Sequence, residues 1–300
     1  MPRGKRVPVQ NTPLYKAVVE DLFFNDFQKE QILSAKTQKE LFKNISNTCN
    51  EILNNGCEID FQYNSDSLLN NTGCGEITRE RMCIQKRHKD KKYHCYYVLP
   101  ELIYQDPDEI SYHLYLKMAM ILSIRKEKRP DKYSKIKKIT LGVINNNAFC
   151  LKIINNSDLE IELSGDWVID WNLVSMCKSE IKYEAAMKSH TIAGHVFWPC
   201  RKKSGRTINV IRTSFSIMQT LNTLNKCYNF KFEENEFWVE NTYKELTNTF
   251  VENKDWFNVF FDNFDQYKDF FSLGVFLKHE ITVTNINEIM QLRLNELMQL

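Results

Sequence analysis

Between Lys138 and Leu163 the sequence follows a pattern that an antiparallel sheet accommodates and a helix does not. The stretch KITLGVINNNAFCLKII, residues 138–154, places two apolar, β-branched runs on either side of three consecutive asparagines, a strong signal for a β-hairpin. DLEIEL, which ends at Leu163, alternates acidic and apolar side chains and predicts a third strand. TIAGHVFW, residues 191–198, predicts a fourth strand. The pattern therefore predicts a small, mainly antiparallel sheet.

Helices are predicted on both sides of this sheet. The chain has nine glycines and seven prolines in 300 residues, so few turns can depend on glycine and helices are favoured. Residues 14–54 carry helical periodicity, with a break at SAKTQKE that offers Ser34 and Thr37 as caps. DPDEISYHLYLKMAMILSI predicts a buried helix capped by Asp106, and the chain after Arg206 is predicted as helical. The predicted fold class is α+β, with a helical N-terminal part, the sheet, and a helical C-terminal part.

The same patterns divide the chain into regions. Residues 1–12 are basic and contain proline, which predicts a flexible arm. Residues 13–128 form a mainly helical N-terminal region, and residues 129–300 form an α+β domain that includes the C-terminal helices. The stretch KEKRPDKYS, residues 126–134, is either a domain boundary or a loop within one domain.

Composition favours a cytoplasmic protein that has no contact with a membrane. The nine cysteines are irregularly spaced in a chain too long for a small disulfide scaffold, which favours reduced thiols. The chain contains no apolar run near the roughly 20 residues that span a bilayer, and it does not open with a secretory signal pattern.

Positive charge is concentrated where the predicted fourth strand leads into a helix. The net charge is only +2, yet five cations and no acid lie between residues 201 and 212. A helix N-terminus offers unpaired N–H groups and partial positive charge, so residues 190–212 predict an anion site. Its candidate ligands are His195, Arg201, Arg206, Asn209 and Arg212. The alternative is a solvated loop whose cations pair with the acidic C-terminal helices.

A nucleic acid, a nucleotide or another phosphorylated ligand is the partner that this site favours. A second basic stretch, residues 125–138, is predicted to flank it, and the aromatic side chains available for stacking on bases are Tyr93, Tyr96, Tyr97 or Trp198. This hypothesis leaves open whether the protein is an enzyme.

A Mg²⁺-dependent nuclease is the first alternative. Asp170, nine residues, then Glu180-Ile181-Lys182 match a spacing in which two carboxylates hold the metal ion and a lysine orients water. The surrounding sequence predicts a helix, whereas the motif belongs on a strand. The acids of DLEIEL are predicted to share one strand face and are further carboxylate candidates: Asp158, Glu160 and Glu162.

Two further patterns are less specific. Arg87 and His94 match the loose spacing of helical toxin ribonucleases, although their segment predicts a loop and a strand. A zinc site would draw on ligands at irregular spacing, without the paired cysteines that structural zinc sites favour: Cys74, Cys83, His88, His94 and Cys95. The common nucleotide-binding, zinc-protease and serine-hydrolase motifs are missing from the sequence.

A protein-interaction module is the other alternative. Residues 256–278 are rich in aromatic side chains, which at helical spacing mostly form core but can also bind a protein partner or a second copy of the chain. Asp262, Asp265 and Asp269 are predicted on the solvent side of this segment.

Four sequence blocks resemble a bacterial domain family of unknown function: IELSGDWVI, HTIAGHVFWP, RTINVIR and WFNVFFDNFDQYKDFFSL. That family shows a Gly-Gly-apolar-Phe-Pro strand, a Thr-Ile-Asn-x-x-Arg helix start and a Tyr-x-Asp-Phe-Phe helix, which correspond to residues 194–199, 207–212 and 267–271. The similarity covers about residues 130–280, with Ala193 in place of a glycine and no acidic, aromatic run after the Arg helix. The resemblance groups these residues and implies no reaction. A role in bacterial defence against phage is the hypothesis that it suggests.

Overall fold

The fold is described here from a computed structural model over residues 8–21, 23–55, 111–168, 192–199, 216–228, 254–282 and 284–299. The strands in these ranges are β1 (Ile136–Ile144), β2 (Ala148–Asn155), β3 (Glu160–Trp167) and β4 (His195–Pro199). The α-helices are α1 (Pro13–Glu20), α2 (Asp26–Leu33), α3 (Gln38–Asn54), α4 (Tyr112–Lys128), α5 (Ile217–Tyr228), α6 (Lys254–Phe260), α7 (Phe264–Phe270), α8 (Gly274–Lys278) and α9 (Ile286–Met298). The predicted α+β class, with helices on both sides of a central sheet in the sequence, is confirmed.

The four strands form one antiparallel sheet in the order β1-β2-β3-β4. Ile144 pairs with Ala148 across the turn, where Asn145 and Asn146 have φ values of 51° and 63°. Asparagine tolerates this left-handed conformation better than most residues, so the asparagine run closes the hairpin as predicted. The predicted fourth strand is shorter than its pattern, because Ile192–Gly194 forms a 3-10 turn before β4 begins.

One face of the sheet forms the core beneath α3 and α4. Phe149 on β2 contacts Phe42 of α3 with ring centroids 4.6 Å apart, and Phe197 on β4 contacts Tyr115 of α4 at 5.7 Å. Burying a large apolar side chain stabilises a fold by about 1.5–3 kcal/mol. Burial of the apolar side chains on this face of the strands therefore supplies much of the free energy that holds α3 and α4 on the sheet.

The opposite face of β2 and β3 is polar, which explains the alternation in DLEIEL. Lys152 Nζ lies 2.6 Å from Glu160 Oε1 and 3.4 Å from Glu162 Oε1. Asp158 precedes β3 in a turn with φ 58° and pairs with Lys137 Nζ at 2.6 Å, so it does not share the strand face as predicted.

The free edge of β1 is protected by side chains of α3. Asn50 accepts a hydrogen bond from the Leu141 N–H at 2.8 Å and donates one to the Leu141 carbonyl at 2.9 Å. Ser46 donates to the same carbonyl at 3.0 Å. The amide of Asn50 thus takes the place of a neighbouring strand, which blocks pairing with another chain at this point.

The N-terminal helices differ from the prediction in number. Residues 14–54 contain three helices, because the chain turns between Asp21 and Asn25, where Asn25 forms a capping box with Gln28. Thr37 caps α3 as predicted and accepts a hydrogen bond from the Glu40 N–H at 3.2 Å. Ser34 ends α2 instead of starting a helix.

The long central helix α4 starts later than the sequence suggested. Its N-cap is Ser111, whose side chain accepts from the Leu114 N–H, whereas Asp106 lies outside the described residues. The helix is buried on nearly all sides, as its apolar sequence predicts. Residues 8–12, predicted as part of a flexible arm, are packed, since Val9 is buried in a 3-10 turn. Among the described helices, none has the length and apolar character that a bilayer crossing requires.

Candidate functional site

β4 precedes the predicted basic turn in the chain, and the structure shows how this strand is placed. It pairs with β3 from Trp167↔His195 to Leu163↔Pro199. His195 is therefore the first residue of the strand, and four steps of about 3.3 Å put it about 13 Å from Pro199, where the turn starts. It is also 1% exposed. The prediction that His195 lies at the strand end beside the anion site is wrong, because His195 is buried at the start of β4 and the basic segment follows its other end.

The outer edge of β4 is bonded to side chains from the C-terminal helices. Arg293 of α9 donates to the Ala193 carbonyl at 2.7 Å and to the His195 carbonyl at 2.5 Å. Tyr267 of α7 donates from its hydroxyl to the Phe197 carbonyl at 3.0 Å. These three carbonyls are at alternate positions and point away from β3. The strand that precedes the basic turn is thus fixed on both of its edges.

The other predicted site residues lie outside the described residues. These are the anion-site candidates Arg201, Arg206, Asn209 and Arg212, the nuclease candidates Asp170, Glu180 and Lys182, and the ribonuclease and zinc candidates Arg87, His94, Cys74, Cys83, His88 and Cys95.

Trp198 is not available for stacking on a nucleic-acid base. Its indole N–H donates to Asp166 Oδ2 at 2.6 Å, and both side chains are buried on the face of the sheet opposite Phe197. A buried indole with a carboxylate acceptor is a core element, so the stacking prediction for Trp198 is wrong.

Four of the eight cations in the predicted basic stretch 125–138 are buried or ion-paired within the protein. Arg125 is buried and donates five hydrogen bonds to oxygens of the C-terminal helices: Asp269 O, Phe270 O, Ser272 Oγ, Glu296 O and Leu297 O. Lys132 lies 2.6 Å from Asp269, and Lys135 lies 2.5 Å from Asp262. Arg125, Lys132 and Lys135 therefore attach this stretch to the C-terminal helices, while Lys128 and Arg129 stay exposed.

In the C-terminal helices the acidic side chains face solvent and the aromatic side chains face the core, as predicted. Asp262, Asp265 and Asp269 are exposed, and each pairs with a lysine, Asp265 with Lys268 at 2.6 Å. The aromatic side chains described between residues 257 and 276 are all buried: Phe257, Phe260, Phe261, Phe264, Tyr267, Phe270, Phe271 and Phe276. In the described part of this segment the aromatic residues form core and offer no apolar docking surface.

Within the part of the chain that the structure describes, the carboxylates of β3 pair with a lysine and are not part of a metal site. Glu160 and Glu162 share Lys152, and hydrogen bonding and attraction from these acids raise the pKa of that lysine although burial opposes the change. Over the described ranges, no group of three or more histidine, cysteine, aspartate or glutamate side chains is arranged to hold a metal ion.

A buried polar cluster that the sequence analysis did not predict joins the N-terminal helices to the start of α4. Asp21 Oδ2 accepts a hydrogen bond from Tyr112 Oη at 2.5 Å and lies 2.6 Å from His113 Nε2. Asp21 Oδ1 accepts from the Phe23 N–H at 2.9 Å. Burial alone would raise the pKa of Asp21, but the hydrogen bond and charge of His113, helped by the bonds from Tyr112 and Phe23, bring it below its ordinary value.

Lys117 and Cys49 lie near this carboxylate. Burial lowers the pKa of Lys117 to about 8, with a partial opposing effect from the Asp21 charge. Burial, with a further contribution from Asp21, raises the pKa of the Cys49 thiol far above its usual range. The signal for this cluster in the sequence is the polar pair Tyr112-His113, followed by Lys117, in the apolar part of α4.

Comparison with sequence families gives one match. A family described as a family of unknown function, DUF6994, matches residues 87–299, which is more than two thirds of the chain. The chain belongs to the DUF6994 family. No curated protein and no solved structure matches it.

The DUF6994 match includes the sheet, α4 and the C-terminal helices, and it starts further toward the N-terminus than the resemblance over residues 130–280 indicated. Three of the sequence blocks that carried that resemblance meet in the structure. Gly165 on β3 pairs with Phe197 on β4, and Tyr267 on α7 bonds to the carbonyl of Phe197. His113 and Lys117 lie within the family match, whereas Asp21 lies outside it.

Proposed function

We propose that the protein binds a nucleic acid or a nucleotide through the cations of the turn that follows β4, residues 201–212. The observation that carries this proposal is the pairing of the acids described in the C-terminal helices. The alternative pairs the cations of residues 201–212 with the acids of these helices. Of those acids, Asp262, Asp265 and Asp269 each pair with a lysine outside that segment: Lys135, Lys268 and Lys132.

The strand that precedes residues 201–212 in the chain is anchored. Arg293 and Tyr267 hold the outer edge of β4, and β3 holds its inner edge. A cation that closely follows a fixed strand in the chain loses less conformational freedom on binding than one on a flexible tail, which favours affinity. The proposal is narrower than the sequence suggested, because His195 is buried at the start of β4, and Arg125, Lys132 and Lys135 bind within the protein.

The test is a salt titration of binding to a fluorescently labelled single-stranded oligonucleotide, in DNA and RNA forms, measured by anisotropy. Each phosphate contact contributes about 0.7 to the slope of log K against log salt for single strands. Replacing Arg206 and Arg212 by alanine is expected to weaken binding at least tenfold and to reduce that slope by about 1.4.

A matched control is the pair Lys128→Ala and Arg129→Ala, since both residues are exposed cations with no ion pair among the described residues. This control should bind as the wild type does. Equal affinity of the Arg206→Ala, Arg212→Ala variant and the wild type would refute the proposal.

The nuclease alternative is tested in the same mixtures. Mg²⁺ is added, and the oligonucleotide is examined for cleavage by the wild type and by the Glu180→Ala variant.

A further inference from the structure

Most of the large apolar side chains that the structure shows exposed lie at one corner of the N-terminal helices. Among the described residues five such side chains are exposed, and three of them fall within nine consecutive residues: Val19, Phe23 and Phe27, at 49%, 42% and 67%. The other two, Leu159 and Leu292, are single residues elsewhere. Single exposed apolar residues are ordinary on a protein surface, whereas a contiguous group of them marks an interaction site.

The turn between α1 and α2 holds this apolar corner, Val19, Phe23 and Phe27, in a fixed arrangement. Asp21 Oδ1 accepts a hydrogen bond from the Phe23 N–H at 2.9 Å, and the Phe23 ring packs edge-on against the buried His113 ring with centroids 5.5 Å apart. Lys29 Nζ donates to the Val19 carbonyl at 3.1 Å, which ties the end of α1 to α2. Side chains that are already ordered lose little conformational freedom when a partner binds.

The charged residues around the apolar corner carry both signs. The acids Glu20, Asp26 and Glu30 are exposed, Lys16 is exposed, and Lys29 is half-buried. A strongly charged partner, such as a nucleic acid or an anionic membrane, finds no opposite field on a rim that is nearly balanced. A second copy of the same surface is complementary to it, because an isologous contact brings both signs from each copy to one rim.

The area of the apolar corner fits a reversible dimer. With roughly 200 Å² for a whole phenylalanine side chain, Phe23 and Phe27 together expose about 220 Å² of aromatic surface on each copy. A stable protein interface covers roughly 800 Å² on each partner and has an apolar centre and a polar rim. The two rings and Val19 supply the centre of an interface of this kind, and the surrounding charged residues supply its rim.

We propose that the protein forms a two-fold symmetric dimer in solution through the apolar corner, with Phe27, the most exposed of its three side chains, at the centre of the contact. This dimer is independent of the proposed function at residues 201–212. It also differs from the predicted contact at residues 256–278, where the described aromatic side chains are buried. The apolar corner lies outside the DUF6994 match, so dimerisation is a property of the N-terminal helices.

The test is sedimentation equilibrium of the full-length protein over a range of concentrations from about 1 to 300 μM. We expect a monomer–dimer equilibrium with a dissociation constant on the order of 10 μM, since the contact is small. Because the centre of the contact is apolar and the charges of its rim nearly cancel, this constant should change by less than about threefold between low and high salt.

The variant Phe27→Ser removes the most exposed ring and should weaken the dimer about tenfold, the effect expected when about two thirds of a phenylalanine side chain is no longer buried. Leu159→Ser is the matched control, because Leu159 is 54% exposed and lies directly before β3, away from the apolar corner. The control should leave the equilibrium unchanged. If Phe27→Ser lowers the melting temperature, Val19→Ser replaces it, with an expected weakening of about threefold.

Cross-linking locates the contact between the two copies. Protein with natural nitrogen is mixed with protein labelled with heavy nitrogen, treated with a lysine-specific cross-linker and digested, and mass spectrometry identifies the links that join a light copy to a heavy one. Links that involve Lys16 or Lys29 are expected. A monomer at every concentration, a dimer that Phe27→Ser leaves intact, or links between copies only at distant lysines such as Lys128 would overturn the proposal.

Discussion

Replacing Arg293 by methionine should destabilise the protein more than its position in a surface-facing C-terminal helix would suggest. The guanidinium is fully buried and donates to the carbonyls of Ala193, His195, Ser272 and Phe271 at 2.7, 2.5, 3.2 and 3.3 Å. Methionine fills similar space without donors. Each carbonyl left unsatisfied costs about 1–3 kcal/mol, or about 4–12 kcal/mol for four.

An opposing contribution comes from the charge itself. Burial lowers the pKa of Arg293 to about 9, which shows that the interior does not favour the charged form. Removing a buried charge recovers several kcal/mol of this cost. The net expectation is a loss of about 3 kcal/mol, which corresponds to a decrease in melting temperature of about 6 °C for a protein of this size.

The assay is thermal and urea unfolding followed by circular dichroism, with Arg129→Met as the control. Arg129 is exposed, so its replacement should change stability by no more than about 0.5 kcal/mol. A loss within 0.5 kcal/mol for Arg293→Met would show that the edge of β4 does not depend on this residue, and the assignment of Arg293 as its anchor would be wrong.

Two other substitutions test the contacts described above. Tyr267→Phe removes only the hydroxyl that bonds to Phe197 O and should cost about 1–2 kcal/mol in urea unfolding, and a neutral result would mean that the carbonyl is satisfied without it. Asp21→Asn tests the buried cluster by its pH dependence. The folded pKa of Asp21 lies below its ordinary value of 3.8, so its stabilising contribution is present above pH 4 and is lost as the pH falls toward the folded pKa. Unfolding free energies at pH 7, 5, 4 and 3 should therefore show a gap between wild type and variant that closes at the acidic end, whereas a gap independent of pH would contradict the role of the charge.

The sheet could be predicted from the sequence because its signals are local. The asparagine run forces a tight turn, and the alternation around Lys152 and Glu162 records which side chains face solvent. The number of N-terminal helices could not be predicted in the same way. Periodic apolar residues continue through the break between Asp21 and Asn25, and only the cap at Asn25 marks the new helix start.

The buried cluster could not be predicted because its members are far apart in the sequence. Asp21 and His113 are separated by 92 positions, and each has ordinary neighbours. His195 is the reverse case, in which residues close in the sequence are not brought together by the fold. Its position near a basic turn suggested a shared site, but a strand carries its residues apart by about 3.3 Å per step, and the first residue of β4 lies at the far end from the turn.

Arg125 shows why charge counted along a sequence overstates a basic surface. It belongs to the most basic stretch before the sheet, yet its guanidinium is buried and bonded to oxygens at the ends of α7 and α9. Helix C-termini carry partial negative charge, so a buried arginine there stabilises the packing of helices without contributing to the field outside.

Since the net charge is only +2, long-range attraction of a polyanion is weak. Binding at residues 201–212 must therefore come from cations within about 10 Å of the phosphates at 0.1 M salt. The proposed nucleic-acid interface should therefore be small and strongly sensitive to salt, and its affinity should depend on Arg206 and Arg212 far more than on Lys128 and Arg129.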